Sequence, residues 1–290
     1  MRYALLLLCS SFRLLAQDAD RDGLTDSFED ELLTRFAPTF MVVRSDCDGL
    51  PATFASGEAV PGVVARDGQI YGQVFRAGSF IEVHYYHLWS RDCGRGGHRL
   101  DPEHVSVLLA PPDWRAVYWY AAAHESTLCD ASQAAPAAAL NAADSGATVW
   151  ISNGKHASFL SADGCRGGCG ADRCEQMTAL PRGRVVNLGE RDGPLHGAIW
   201  TSSAAWPLAA KMGSDFPPST LSQLAAANRI VVINRPPAPI QSVLAYSYDP
   251  IGAAGVGSEH TRSAVASAHE SVARSVKTAH QATRRWLQRW

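Results

Sequence analysis

The chain has 290 residues, enough for one large domain or two small ones. Hydrophobic residues make up 46 % and charged residues 19 %, a balance that excludes an intrinsically disordered chain. A formal net charge of -2 excludes bulk attraction to nucleic acid or to an anionic membrane, so any such contact must be local.

Residues 1–17 read as a secretory signal. Arg2 supplies the positive start, Tyr3 to Leu8 the apolar run, and Leu14-Leu15-Ala16 a cleavage site ending in a small residue. The run is too short for a transmembrane anchor, which needs about 18 apolar residues or more. The expected location is therefore secreted or periplasmic. Six cysteines follow the signal: Cys47, Cys93, Cys129, Cys165, Cys169 and Cys174. An even count in an exported chain predicts disulfides, and six cysteines allow about fifteen pairings, among which the sequence does not choose. The GCRGGCGADRC cluster also has a zinc-like look, but it lacks a nearby fourth ligand.

Asp18 to Glu29, DADRDGLTDSFE, fits a twelve-residue calcium loop. Asp18, Asp20 and Asp22 alternate ahead of Gly23, which makes the sharp turn, and Asp26 and Glu29 complete the carboxylate positions. A hard cation needs several oxygens gathered around such a turn. The stretch resembles the EF-hand loop and, more closely, the aspartate-rich repeats of secreted calcium modules such as dockerin and thrombospondin type 3. An acidic linker that merely starts the following helix, Ser27 to Phe36, is the alternative.

From 37 to 235 the chain reads as a mainly β domain. Strands are expected at Gln69–Phe75, Ser79–Trp89, His104–Leu109, Arg115–His124, Ala147–Ile151, Arg184–Leu188 and Ile230–Ile233. The Pro- and Gly-rich stretch Cys47–Gly62 reads as loop. Short helices are expected at Ser132–Ala143, Trp200–Met212 and Leu221–Ala227. Many short strands between turn residues, with few helices, predict a β-sandwich carrying helical additions. A linker follows at 236–258. Residues 259–290 form an amphipathic pattern through Val265, Ala268, Val272, Val276, Ala279, Trp286 and Trp290, with a basic face of Arg262, Arg274, Lys277, Arg284, Arg285 and Arg289. Such a helix suits docking on a protein surface or peripheral contact with a membrane.

The chemistry gathers in HYYHLWSRDCGRGGHRLDPE, His84 to Glu103, which holds three histidines, two aspartates and one glutamate. His84 and His87 lie three apart on a strand and so face opposite sides. Asp101 and Glu103 lie two apart and face the same side, and His98 reaches that space across the glycine-rich turn. Two carboxylates on one face repel unless a cation or a shared proton relieves them. Oxygen ligands with one imidazole favour Mg²⁺, Ca²⁺ or Mn²⁺. A solvated strand edge with ordinary charges is the alternative.

GGHRLDPEHVSVLL resembles the G-H-R-H-D-W-E heptapeptide region of the necrosis- and ethylene-inducing protein family, secreted β-sandwich cytolysins, and the D-W-E-H-V region of the vacuolar protein sorting 62 family. In the cytolysins the first His, the Asp and the Glu of the heptapeptide hold a divalent cation with an upstream Asp. The resemblance implies those roles for His98, Asp101 and Glu103, with Asp92 as the upstream acid. Leu100 stands in place of the second His and Pro102 in place of the Trp, so the neighbouring contacts differ. The resemblance covers roughly residues 80 to 160. YWYAAAHESTLC and VWISNGKHASFLS resemble segments of the sorting family and bring His124, Glu125 and His156 to the same edge.

Three functions fit. The first is a secreted, divalent-cation-dependent protein that binds a surface glycan or a lipid head group, with cytolysin-like action as one form of it. The second is a secreted metal-dependent hydrolase of phosphoesters or esters, with His124 or His156 as general base. The third is a structural exported protein with calcium only for stability. The sequence has no G-x-S-x-G and no H-E-x-x-H, and no phosphate loop or dinucleotide fingerprint.

Overall fold

The computed structural model of the chain describes residues 17–55, 62–94, 97–125, 129–168, 172–190, 193–194, 208 and 211–233. The signal, linker and C-terminal amphipathic segments, and most of 200–212, lie outside the described residues.

The first element is helix α1 (Asp26–Arg35). Thr25 caps it by accepting the Phe28 N–H, and Asp26 in the first turn complements the helix dipole. Strand β1 (Thr39–Val42) follows, then a small ribbon of β2 (Thr53–Phe54), inside the stretch expected to be loop, and β3 (Val63–Ala65), just beyond it. The long strands come next: β4 (Ile70–Ala77), β5 (Phe80–Arg91), β6 (Arg99–Ala110) and β7 (Arg115–Ala121). Then come β8 (Gln133–Pro136), β9 (Thr148–Ile151), β10 (Ser158–Phe159), helix α2 (Ala162–Arg166), β11 (Thr178–Ala179), β12 (Val185–Asn187), β13 (Gly189–Glu190) and β14 (Gly193–Pro194). Helix α3 (Pro218–Leu224) and β15 (Val231–Val232) complete the described chain.

Two sheets carry the architecture. The larger has seven strands in the order β12-β4-β5-β6-β7-β8-β15, and the smaller has four, β10-β9-β1-β11. The fold is mainly β, as expected, and the two sheets face each other across a common core. Val74, Ile81, Val83, Tyr85, Trp89, Val105, Val107, Leu109 and Trp119 of the large sheet meet Phe40, Val42, Val149 and Ile151 of the small one, with Leu32, Leu33 and Phe36 closing one side. Fully burying each aromatic or aliphatic side chain contributes about 1.5–3 kcal/mol.

The large sheet is also covered on its outer face. Leu208, Met212, Phe216, Leu224 and Ile233 pack over Tyr86, Leu88, Leu108 and Tyr120. This explains why β5 and β6 are buried over nearly their whole length, without the inside–outside alternation of a half-solvated strand.

Two local expectations differ from the structure. The alanine-rich stretch expected as a helix at Ser132–Ala143 is β8 followed by a 3-10 turn at Ala137–Leu140. Pairing of Gln133, Ala134, Ala135 and Pro136 with β7 satisfies the backbone in the sheet, and this outweighs alanine's helix propensity. The strand expected to run to His124 stops at Ala121, because His124 adopts a left-handed conformation at φ +53°. Cys47 pairs with Cys93 and Cys165 with Cys174, and Cys129 is also disulfide-bonded. These bonds take up thiolates that a zinc site in the cysteine cluster would need. Cys169 lies outside the described residues.

Helix α1 seats against the sheet at Gly72, where a Cβ would stand 2.3 Å from Leu33 Cδ2 and 2.8 Å from Val185 Cγ1. Gly72→Ala is therefore expected to lose about 1–3 kcal/mol of stability through overpacking. Urea unfolding measures it, and an unchanged midpoint would show that the helix can move aside.

Candidate metal and binding site

The β5–β6 hairpin pairs His87 with Glu103 and Trp89 with Asp101. Asp101 and Glu103 thus share the face of β6 that carries Val105 and Val107 into the core, and both are buried. The alternative of ordinary charges on a solvated strand edge does not describe them. They lie at one end of the sandwich and are surrounded by polar groups from distant parts of the chain.

His156 is the centre of that arrangement. Its Nδ1 lies 2.9 Å from Asp101 Oδ2 and its Nε2 3.2 Å from Asp46 Oδ1. The ring stacks on the Trp89 indole at 3.9 Å with 8° between the planes. Burial works against charging the imidazole, but the two carboxylates win and its pKa rises to about 9. Both nitrogens then act as donors, so His156 balances charge instead of accepting a proton.

His87, on the same face, is neutral. The Trp89 Nε1–H donates to its Nδ1 at 2.8 Å, so Nε2 carries the proton and meets Ser158 Oγ at 2.7 Å. Burial, with the nearby His156 charge, drives its pKa well down.

Around this clamp stand the sequence-predicted ligands. Burial raises the Asp92 carboxyl and Asp101 raises it further, while Asp92 also accepts the Gly94 N–H. Glu103 is pushed to about 7 by burial and by Asp101, and the Lys211 ammonium, 3.1 Å from its Oε2, pulls the other way. His98 sits on the exposed turn, with Nδ1 3.4 Å from the Arg99 carbonyl, and it acts on Asp92 through its charge. The structure therefore brings Asp92, Asp101 and Glu103 into one electrostatic neighbourhood and leaves His98 at its rim. Among the described residues, the four do not form a group whose ligand atoms all fall within 4.8 Å of one another.

His124 stands near Glu103 and is held by Asp172, with Nε2 2.9 Å from Oδ2. Burial lowers its pKa, but the Asp172 pair outweighs that and leaves it raised. Glu125 accepts from the Tyr120 hydroxyl at 2.9 Å. Leu100, His124 and His156 all adopt positive φ, at 60°, 53° and 55°. Backbone strain of this kind clusters at functional sites.

Asp46, Asp172 and Lys211 carry no local motif, and sequence reasoning missed them. One signal existed: Asp46 precedes Cys47 as Asp92 precedes Cys93, and the Cys47–Cys93 bridge ties both acids to this end of the fold.

At the acidic loop, Asp18, Asp20 and Asp22 converge within 4.8 Å. Gly23 makes the turn at φ +87°, and Asp18 accepts the N–H groups of Arg21 and Gly23. Glu29 is fully buried, with Oε2 3.2 Å from Asn187 Nδ2. Among the described residues, Glu29 Oε1 and Asp22 Oδ2 are buried without a hydrogen-bond partner. Burial, then the charges of Asp20 and Asp22, push Glu29 up to about 8. Buried orphan carboxylate oxygens beside further aspartates fit a hard cation. Asp26 plays another part, accepting the Ala19 N–H at 2.8 Å from the start of α1.

No protein-family model and no curated protein sequence matches the chain. Solved structures do. Necrosis and Ethylene inducing Protein 2 from the causal agent of cocoa's witches' broom disease is 18 % identical, over 72 % of this chain and 97 % of its own, with a TM-score of 0.43. The chain is similar to the necrosis- and ethylene-inducing proteins. NLPPya in complex with mannosamine is 16 % identical over 63 % of this chain and 78 % of its own, at a TM-score of 0.37. The non-toxic HaNLP3 protein is 13 % identical over 70 % and 88 %, at 0.33.

The His156 clamp has a pH signature. A folded pKa near 9 against an ordinary value of 6.5 gives stability that is complete below 6.5 and is lost as pH rises through about 9. The shift corresponds to on the order of 3 kcal/mol. His156→Gln is expected to be less stable than wild type at pH 6, with the gap narrowing by pH 10. A gap that stays constant across thermal unfolding at those pH values would refute it.

Proposed function

We propose that the chain is a secreted protein that binds a surface glycan or a lipid head group through a divalent cation at Asp92, Asp101 and Glu103, with His98 swinging in from the turn. One observation carries this reading. Asp101 raises the pKa of both its acidic neighbours in a buried site, an electrostatic cost that a bound Mg²⁺, Ca²⁺ or Mn²⁺ would remove. The heptapeptide resemblance supports a cation at the same residues. Part of the ion's coordination sphere would remain for ligand oxygens, since the exposed turn leaves that side open. The disulfides suit an oxidising compartment, consistent with the signal sequence. The basic segment 259–290 would supply any peripheral membrane contact.

Asp92→Asn removes one charge without changing shape. It should weaken cation-dependent binding by about tenfold or more while leaving the fold intact. Flotation with glycolipid-bearing and plain phospholipid vesicles, and a glycan panel, each with and without EDTA, measures this. Binding that ignores both EDTA and the substitution would sink the proposal.

The acidic loop from Asp18 to Glu29 is proposed to hold Ca²⁺ as a clamp on the fold. Without an ion, the raised Glu29 pKa makes stability fall as pH climbs from about 4.5 through 8, because the folded state then binds the extra proton. Calcium should flatten that slope and raise the melting temperature, and Asp20→Ala should abolish the effect. Identical melting curves in EDTA and in calcium would overturn the assignment.

The His124–Asp172 pair beside Glu103 favours a second reading, a metal-dependent hydrolase in which His124 transfers a proton. EDTA-sensitive turnover of phosphoester or ester substrates would support it, and no turnover across a broad panel would dismiss it.

A further inference from the structure

The face of the hairpin opposite Asp101 and Glu103 holds a second polar cluster. Side chains alternate along β5 and β6, so Glu82 and His84 on β5, with His104 and Ser106 on β6, point to the outer side of the large sheet. There the segment around Asp215 covers them. Glu82, His84, His104 and Ser106 are fully buried, and Asp215 is 4 % exposed. Solvated surface charges do not look like this.

The imidazoles are arranged as a pair. The His84 and His104 rings lie parallel, 5.6 Å apart with 5° between planes. His104 Nε2 lies 3.0 Å from Asp215 Oδ2, and His84 Nε2 lies 3.8 Å from the same oxygen. The three ligand atoms fall within 4.8 Å of one another. Donors around a tetrahedral zinc ion, at bond lengths near 2.0–2.1 Å, stand about 3.3 Å apart. The two nitrogen-to-carboxylate distances bracket that value.

Supporting contacts orient each donor. Ser106 Oγ donates to Asp215 Oδ2 at 2.6 Å, and the Tyr86 hydroxyl lies 3.2 Å from His84 Nδ1. Metal-binding histidines commonly use their other ring nitrogen in this way. Glu82 Oε1 lies 2.7 Å from His84 Nε2 and accepts the Asp215 N–H at 2.7 Å, while Ser214 Oγ donates to Oε2 at 2.6 Å. Glu82 thus holds the His84 ring and the Asp215 backbone from outside the three converging donors. Each imidazole faces a carboxylate, His84 towards Glu82 and His104 towards Asp215, a buried acid–base cluster of the kind that proteins hold together by pairing or by metal.

We infer that His84, His104 and Asp215, with Glu82 beside them, form a transition-metal site of the zinc class on the outer face of the large sheet. Two imidazoles with carboxylates prefer zinc and its neighbours to calcium or magnesium. The ion would fasten residues 211–216 to the sheet. It would thereby set the position of Lys211, whose ammonium reaches Glu103 on the other side. This site does not depend on the proposed ligand-binding activity.

The test uses the full chain loaded with zinc chloride and then dialysed. Wild type should retain one equivalent of zinc by elemental analysis, and anomalous diffraction at the zinc edge should give a peak between the two Nε2 atoms. His104→Asn should lose that zinc, while Asp92→Asn and Asp20→Ala should keep it. Folded wild type that retains no zinc, or a peak located elsewhere, would overturn the inference. Because the diffraction arm needs only wild-type protein, a His104 variant that fails to fold leaves the test intact.

Discussion

An imidazolium held between Asp101 and Asp46 and laid flat on Trp89 governs the end of the sandwich where the chemistry collects. Each partner comes from a different part of the chain: a loop before the Cys47 bridge, strand β6, the turn after β9, and strand β5. The ion pairs join both sheets and the loop beside the Cys47–Cys93 bridge. A lone buried charge would be costly, so the clamp makes the arrangement cooperative. Asp101 is held in place by His156 and at the same time raises the pKa of Asp92 and Glu103. The same residue that steadies this end of the fold also crowds its two acidic neighbours.

The β5–β6 hairpin meets the opposite demand on its other side. Because both faces of the large sheet are covered, its polar side chains cannot turn to water on either one. They must be satisfied in two separate networks, one around His156 and one around Asp215. The covering segment touches both. Lys211 reaches Glu103 through its ammonium, while its carbonyl lies 3.4 Å from the Tyr86 hydroxyl beside His84. Packing on the outer side and charge on the inner side are therefore joined through a short stretch of backbone.

Much of this was legible in the sequence where the signal was local. The turn of the acidic loop and the helix after it, the long strands around the hairpin, and the shared face of Asp101 and Glu103 follow from residue spacing and periodicity. The opposite orientation of His84 and His87 follows from strand alternation as well. The rest depended on contacts between distant residues. Asp46, Asp172, Lys211 and Asp215 are single polar residues with no pattern around them, and only the folded chain brings them to the histidines. The alanine-rich stretch at Gln133 misled for a related reason, since its small side chains suit a strand buried on both faces as well as they suit a helix. His84 and His104 were visible as residues, but pairing across β5 and β6 was needed to show that they face each other.

Strand β12 is an edge of the large sheet and pairs in parallel with β4, through Val185 opposite Ile70. More than a hundred residues of chain separate the two, so the contact closes a long loop at an entropic cost. Asn187, at the end of β12, donates to Glu29, and α1 leans on both strands. Helix α1 and its Glu29 thus cover the rim of the sheet at β12, where a bare edge would offer unpaired backbone groups to strands from other molecules.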